Sequence, residues 1–370
     1  MKVILKKCTE YNVSKIKNGI LASLKELGGL EKYVKPKEKV ILKVNLLTSK
    51  KPELAATTHP AFVEALIEIF KENDNEVMIA DSPGGPFIDT YMKRVYKSTG
   101  MAQIAKSQDI ALNRDYGGYD IFTNDSKLYK KMKISNYVKN ADHIISVSKM
   151  KTHSFMTFTG AVKNMFGVVP GLSKANLHLQ YPDMLDFGDM LLDVCTYITP
   201  TLSFMDGIVA MEGEGPGSGD PVNMNVVLTS DSPYHLDVVA TKIVNVDPMK
   251  VPTIVKSIER GIVKEDFSDI ELVGSIDEFK KMNFVKAKTN RIENNGKFSI
   301  WKYFKRYPRI ITKNCIGCGD CAEICPVKTI DIVDRKAIIN FDNCISCFCC
   351  HEFCPAKAIT VKRKLLRKIK

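Results

Sequence analysis

The chain has 370 residues, of which 45% are hydrophobic and 26% charged, a globular composition long enough for more than one domain. Its 54 Lys and Arg outweigh 42 Asp and Glu, giving a formal net charge of +12 that favours anionic partners. No apolar run reaches the ~18 residues of a membrane span, and the charged start Met-Lys-Val-Ile-Leu-Lys-Lys does not read as a signal peptide, so a cytoplasmic, non-transmembrane protein is expected.

In chain order, Val3 to Leu5 reads as a strand and Val13 to Leu27 as an amphipathic helix with Ile16, Ile20 and Leu24 on one side. Lys39 to Val44 is a second strand. Pro60 opens a helix through Phe70, as suits proline in a first turn. Glu76 to Ala80 is a third strand, and Met92 to Ala105 reads as a helix. Further strands are expected at 143–147, 202–205 and 225–229, and a helix at His235 to Val244. This alternation predicts an α/β fold with a largely parallel sheet, in one or two lobes, over residues 1–275.

Ligands of such sheets gather beyond the carboxyl ends of the strands. Four of those ends are polar: Lys43 and Asn45; Asp81 and Ser82; Lys149, Lys151 and His153; Asp206, leading to Glu212. They are expected to converge on one pocket. The segment 149–171 adds Lys163 and Asn164 among apolar residues and glycines. Lys163 reads as a clamp for an anion or as a base of lowered pKa, against the alternative of a surface lysine. His59, at a helix start, His153, and His178, expected in a loop, are candidate metal ligands or acid–base groups. Gly213-Glu-Gly-Pro-Gly-Ser-Gly219 is a weak match to a phosphate-binding loop and equally suits a mobile cover.

The segment 276–308 is a basic linker. Lys280 to Lys313 carries eleven Lys or Arg against one acid, Glu293, and a basic tail follows at 362–370. These runs suit an acidic electron-transfer partner, an anionic surface or solvent, and no nucleic-acid motif accompanies them.

Between linker and tail, at 309–361, one pattern occurs twice: Cys315-x2-Cys318-x2-Cys321-x3-Cys325-Pro326 and Cys344-x2-Cys347-x2-Cys350-x3-Cys354-Pro355. Zinc sites need only paired cysteines, and a disulfide framework belongs to small secreted domains. Neither explains a third x2-spaced Cys followed by x3-Cys-Pro. The pattern is that of two [4Fe–4S] clusters, in which the Cys before each Pro ligates the other cluster. Cys315, Cys318, Cys321 and Cys354 are therefore assigned to one cluster, and Cys344, Cys347, Cys350 and Cys325 to the other. Each half is expected to continue with a short helix after the Pro and then a strand. Cys349 breaks no spacing and reads as a small residue packed near a cluster. Cys8 and Cys195 read as buried thiols.

The cysteine-rich region resembles two-cluster bacterial ferredoxins over about 50 residues. Residues 38–265 resemble the family named for domain of unknown function 362. The motifs are Lys43-Val-Asn45, Thr58-His59-Pro60, Asp81-Ser-Pro83, Lys149-Met-Lys151-Thr-His153, Thr159-Gly-Ala-Val-Lys163-Asn164-Met-Phe-Gly167 and Asp206-Gly207 through Glu212-Gly. That resemblance implies a domain that often carries a ferredoxin module, and little chemistry. A fainter likeness to nickel-pincer lactate racemases keeps a further metal or organic cofactor open.

The expected function is an iron–sulfur oxidoreductase, from an anaerobic host, that passes electrons from a donor protein to an anionic substrate or cofactor. Lys43, Lys149, Lys151 and Lys163 would hold that group, and His153 or His59 would supply a proton. Two alternatives are an electron carrier with no substrate of its own and a metal-centre enzyme with an accessory ferredoxin.

Overall fold

The structure is a computed structural model that describes residues 1–290 and 305–363. Residues 291–304 of the expected linker and 364–370 of the expected tail lie outside the described residues. In the larger part the strands are β1 (Lys2–Lys7), β2 (Lys39–Lys43), β3 (Glu76–Ala80), β4 (Ala111–Leu112), β5 (Gly118–Phe122) and β6 (Lys131–Ser135). They continue with β7 (His143–His153), β8 (Thr157–Thr159), β9 (Leu202–Glu212), β10 (Asp220–Ser230) and β11 (Glu271–Val273). Nine strands, among the described residues, form one sheet in the order β11-β1-β10-β9-β7-β2-β3-β4, with β8 paired to the end of β7.

Pairing is parallel from β9 through β7, β2 and β3 to β4. Strand β10 is antiparallel to both β9 and β1, because the Gly213–Gly219 turn folds it straight back. The fold is thus α/β with a mostly parallel sheet. Residues of β7 after His143 are buried throughout, as a strand covered on both faces must be. The helices Val13–Glu26, Pro60–Glu72 and Met184–Ile198 pack into one apolar cluster with β2, β3 and β7. The helix Pro233–Ile243 packs into another with β1 and β10.

Three local expectations are corrected. Strands β7 and β9 do not stop at residues 147 and 205. They run on through the polar residues to His153 and Glu212, whose side chains find partners inside the protein. The helix expected over 92–105 is two helices, Asp89–Ser98 and Met101–Ser107, broken at Gly100, whose φ of 81° ends the first. His178 lies in the helix Ser173–Gln180, not in a loop.

The cysteine-rich part pairs β12 (Arg306–Ile310) with β15 (Ile359–Arg363), and β13 (Ile330–Val333) with β14 (Lys336–Ile339), both antiparallel. Its short helices, Asp320–Glu323 and Cys349–Phe353, precede Pro326 and Pro355 instead of following them. Proline disfavours helical backbone in the residue before it, so each helix ends ahead of the crossing cysteine.

The two parts are docked. The turn between β9 and β10 lies over the helix Cys349–Phe353: a Cβ on Gly217 would strike the Glu352 carbonyl. Lys357 Nζ donates to Gly219 O at 3.1 Å, and Lys50 Nζ donates to Gly217 O. Glu214 Oε2 accepts from Thr360 Oγ1 at 3.0 Å and from Val361 N at 3.3 Å. The glycine-rich loop thus seats the cysteine-rich part, and its glycines are required by backbone-to-backbone approach.

Candidate functional site

A small pocket, with about 80 Å3 of room for the centres of water-sized spheres, opens at the seam between the two parts. The sheet side contributes Lys43, Asn45, Asp81, Ser82, Lys163, Asn164, Lys174 and His178. The cysteine-rich side contributes Ile324, Cys349, Glu352 and Phe353.

The floor is a network at the ends of β2 and β3. Lys43 Nζ is 2.9 Å from Asp81 Oδ1 and donates to Asn164 Oδ1 at 3.0 Å and Val44 O at 2.7 Å. Asp81 Oδ2 accepts from Leu46 N at 2.8 Å, and Asn164 Nδ2 donates to Lys43 O at 2.9 Å. Gly167 covers the ion pair at a distance no Cβ could share. Burial pulls Lys43 below its ordinary value, against the opposing Asp81 charge.

Lys174 Nζ donates to Ser82 O at 2.7 Å, Ser82 Oγ at 3.1 Å and Val169 O. No carboxylate is among those acceptors, and burial lowers its pKa to about 7. Lys163 lines the pocket with no hydrogen-bond or ion-pair partner among the described residues; the Phe166 ring lies 5.5 Å from its Nζ. Burial also lowers the pKa of Lys163. His178 stacks on Phe187 with ring centroids 4.2 Å apart, and burial holds it neutral, near 3.

Behind the pocket, Lys151 Nζ donates to Asn45 Oδ1 and Ala56 O, both at 2.7 Å, and burial pulls it well below its ordinary value. His153 Nδ1 accepts from Phe155 N at 3.0 Å and Met156 N at 3.2 Å, which leaves the proton on Nε2. That Nε2 is 3.1 Å from Glu352 Oε1. Burial lowers the pKa of His153 and raises that of Glu352.

Cys315, Cys318, Cys321 and Cys354 line one cavity in the cysteine-rich part; Cys325, Cys344, Cys347 and Cys350 line another. Each cavity holds the four cysteines that the repeat pairs by crossing. Among the described residues, no three His, Cys, Asp or Glu side chains converge on a point as the ligands of one metal ion would. Sets of four thiols around a hollow fit a cubane cluster in donor chemistry. Cys349 lines the second cavity and the seam pocket alike. Hydrogen bonding with Cys347, and then burial, hold its thiol well above the ordinary value.

Comparison with known proteins agrees with this architecture. The model of the family described as "Domain of unknown function (DUF362)" matches residues 40–242. The chain belongs to the DUF362 family. A 4Fe-4S dicluster domain matches residues 307–355, so this DUF362 member is an iron–sulfur protein. A thylakoid-associated protein of Synechocystis sp. is 33% identical over 261 residues, which are 70% of this chain and 79% of that one. Among solved structures, the lactate racemase apoprotein of Thermoanaerobacterium thermosaccharolyticum is similar at 15% identity and a TM-score of 0.40, covering 63% of this chain and 55% of that one. No helix among the described residues is long and apolar enough to cross a membrane.

The polar strand ends of the DUF362 domain divide into two groups. Lys43, Asn45, Asp81, Ser82, Lys163 and Asn164 line the pocket, with Lys151 and His153 directly behind. Lys149, Asp206 and His59 form a separate cluster. Lys149 Nζ is 2.7 Å from Asp206 Oδ2, Tyr11 OH donates to Asp206 Oδ1 at 2.9 Å, and His59 stacks on Tyr11 with centroids 3.5 Å apart. Burial lowers His59 to about 4. Glu212 lies in neither group; its Oε2 accepts from Val285 N at 2.8 Å. Sequence reasoning missed Lys174, Glu352 and Phe353. The signal for the last two was the surplus Cys349, which marks the face of its helix turned to the sheet.

Proposed function

We propose that this DUF362 protein is an oxidoreductase that delivers electrons to an anionic substrate or cofactor in the seam pocket. One observation carries the reading: Cys349 lines both the pocket and the cavity of Cys325, Cys344, Cys347 and Cys350. Two [4Fe–4S] clusters, ligated as the repeat pairs the cysteines, would each supply one electron at a time.

The protein's own residues do the rest. Lys163, the pocket cation with no partner among the described residues, binds the anion. Asn45 and Asn164 offer hydrogen bonds beside it. The Lys43–Asp81 pair and Lys174 fix the wall. Phe166, Phe353 and Ile324 restrict water. Glu352, whose pKa burial raises, faces the bound group and can deliver a proton, and the neutral His153, 3.1 Å behind it, holds that carboxyl in place.

Partners follow from a second cleft, lined by Lys50, Lys51, Tyr91, Arg94 and Lys357 around the exposed Cys318. It offers a donor protein access to the first cavity. The same cleft would serve a pure electron carrier, so the substrate site decides between the two functions.

The test uses protein purified without oxygen, with iron, sulfide, nickel and zinc determined first. About eight irons are expected for two clusters. Dithionite-reduced protein is then offered small anions, and reoxidation of the clusters is followed by absorbance. Lys163→Ala should abolish reoxidation by the accepted substrate and leave iron and sulfide unchanged. Equal rates in Lys163→Ala would remove the site assignment. No accepted anion, with rapid exchange with a redox protein, would leave the carrier function. Nickel or zinc in stoichiometric amount would indicate the metal-centre alternative.

A further inference from the structure

Around the pocket stand four lysines, Lys43, Lys151, Lys163 and Lys174, and two carboxylates, Asp81 and Glu352. Among the described residues, only Lys43 of these four has a carboxylate in ion-pair contact. Lys151 and Lys174 use neutral acceptors, amide and carbonyl oxygens and a hydroxyl. Lys163 has none among the described residues. Burial lowers the pKa of all four lysines, and a ligand that brings negative charge would favour their charged forms. Buried charge without a counter-charge is expensive, and proteins keep it where a ligand completes the pairing.

The same wall carries a second unmet group. His178 is 5% exposed, lines the pocket and has no hydrogen-bond partner for its Nδ1 among the described residues. Its ring is held by the stack on Phe187, so its place in the pocket wall is fixed. A cation and an imidazole, both unsatisfied and both lining one hollow, match an acid group that presents one oxygen to each.

We infer that the pocket binds a small oxyanion, a carboxylate or a phosphate, through Lys163 and His178, and that its occupancy is electrostatically linked to the cluster held by Cys325, Cys344, Cys347 and Cys350. Cys349 is the side chain common to both spaces. An electron added to the cluster adds negative charge beside the bound anion. The anion therefore binds the oxidised form more tightly, and by reciprocity lowers the reduction potential. No bond is made or broken in this step. The inference rests on the seam pocket as the substrate site but not on turnover.

The experiment uses the full holoprotein, anaerobic, at constant ionic strength held with chloride. Phosphate and malonate are the two probes. Binding is measured by calorimetry, and cluster potentials by redox titration followed by electron paramagnetic resonance. Saturable binding of at least one probe is expected, with the potential of one cluster falling and the other unchanged. A tenfold preference for the oxidised form would appear as 59 mV. The tighter probe identifies carboxylate or phosphate as the natural class.

Lys163→Met should weaken binding about tenfold or more and remove the potential shift at unchanged iron content. His178→Phe keeps the stack and should weaken binding alone. Absence of saturable binding by either probe, or equal binding and equal shift in both variants, would overturn the inference. Binding without reduction of any anion would uphold it and defeat the oxidoreductase reading, so the two can fail separately.

Discussion

Residues of one type do different work here, and the difference lies in their acceptors. Lys43 and Lys149 are tied to carboxylates, Lys151 and Lys174 to neutral oxygens, and Lys163 to nothing comparable. The sequence showed Lys43, Lys149 and Lys151 at strand ends and Lys163 in a glycine-rich segment, all as equal candidates to hold one anion. It could not separate them, because the partners lie far off in the chain, as Asp206 does from Lys149. Asp206→Asn would leave a fully buried ammonium unpaired. A loss of roughly 3–5 kcal/mol is expected in denaturant unfolding; a change under 1 kcal/mol would mean that the cluster at Tyr11 and His59 is hydrated. At Cys349 the repeat's spacing was decisive, since the thiol is surplus to both sets of four. Cys349→Ala is expected to keep full iron and sulfide, whereas Cys347→Ser should lose iron, as elemental analysis will show.

Elements were legible where periodicity carries the information. Strands β2 and β3 and the helix at Pro60 stand where apolar spacing put them. Strands β7 and β9 were read too short because polar residues normally end a strand. Here Lys149, Lys151 and Asp206 are satisfied across the sheet, so the strands continue through them. The β9–β10 turn is the clearest case of pattern without context. Its glycines suited a phosphate loop weakly and a mobile cover equally, while in the structure Gly217 admits the helix Cys349–Phe353. Gly217→Ala would set a methyl group against the Glu352 carbonyl. An expected cost of about 1–3 kcal/mol should appear as a lower melting temperature. Faster hydrogen exchange should be confined to that helix; faster exchange throughout would mean a general loss of packing.

At the scale of the whole molecule, two buried groups give stability a characteristic pH profile. Asp237 accepts from Ala161 N at 2.6 Å and Val162 N at 3.1 Å, yet burial raises its pKa to about 7 from an ordinary 3.8. The folded protein therefore binds the proton more tightly than the unfolded chain. This contribution is full below pH 4 and is lost as pH rises to 7. Lys174 is lowered to about 7 from 10.5, so its penalty is full below pH 7 and is relieved as pH rises to 10.5. Together they predict a minimum of stability near neutrality, each limb worth on the order of 4 kcal/mol. Asp237→Asn should flatten the acid limb and Lys174→Met the alkaline limb in urea unfolding across pH.

The pocket's floor and roof belong to parts of the chain that the sequence presents as separate domains, and its linear order gave no hint that they share a cavity. That sharing has a kinetic consequence. A free ferredoxin must find its enzyme by diffusion, at a rate set by both concentrations. Here the cysteine-rich part, the carrier in the proposed function, is already seated through Glu214, Lys357 and the glycine turn. The encounter is intramolecular, and its effective concentration does not change on dilution. Electron delivery to the pocket should therefore follow first-order kinetics whose rate constant is the same at nanomolar and micromolar protein.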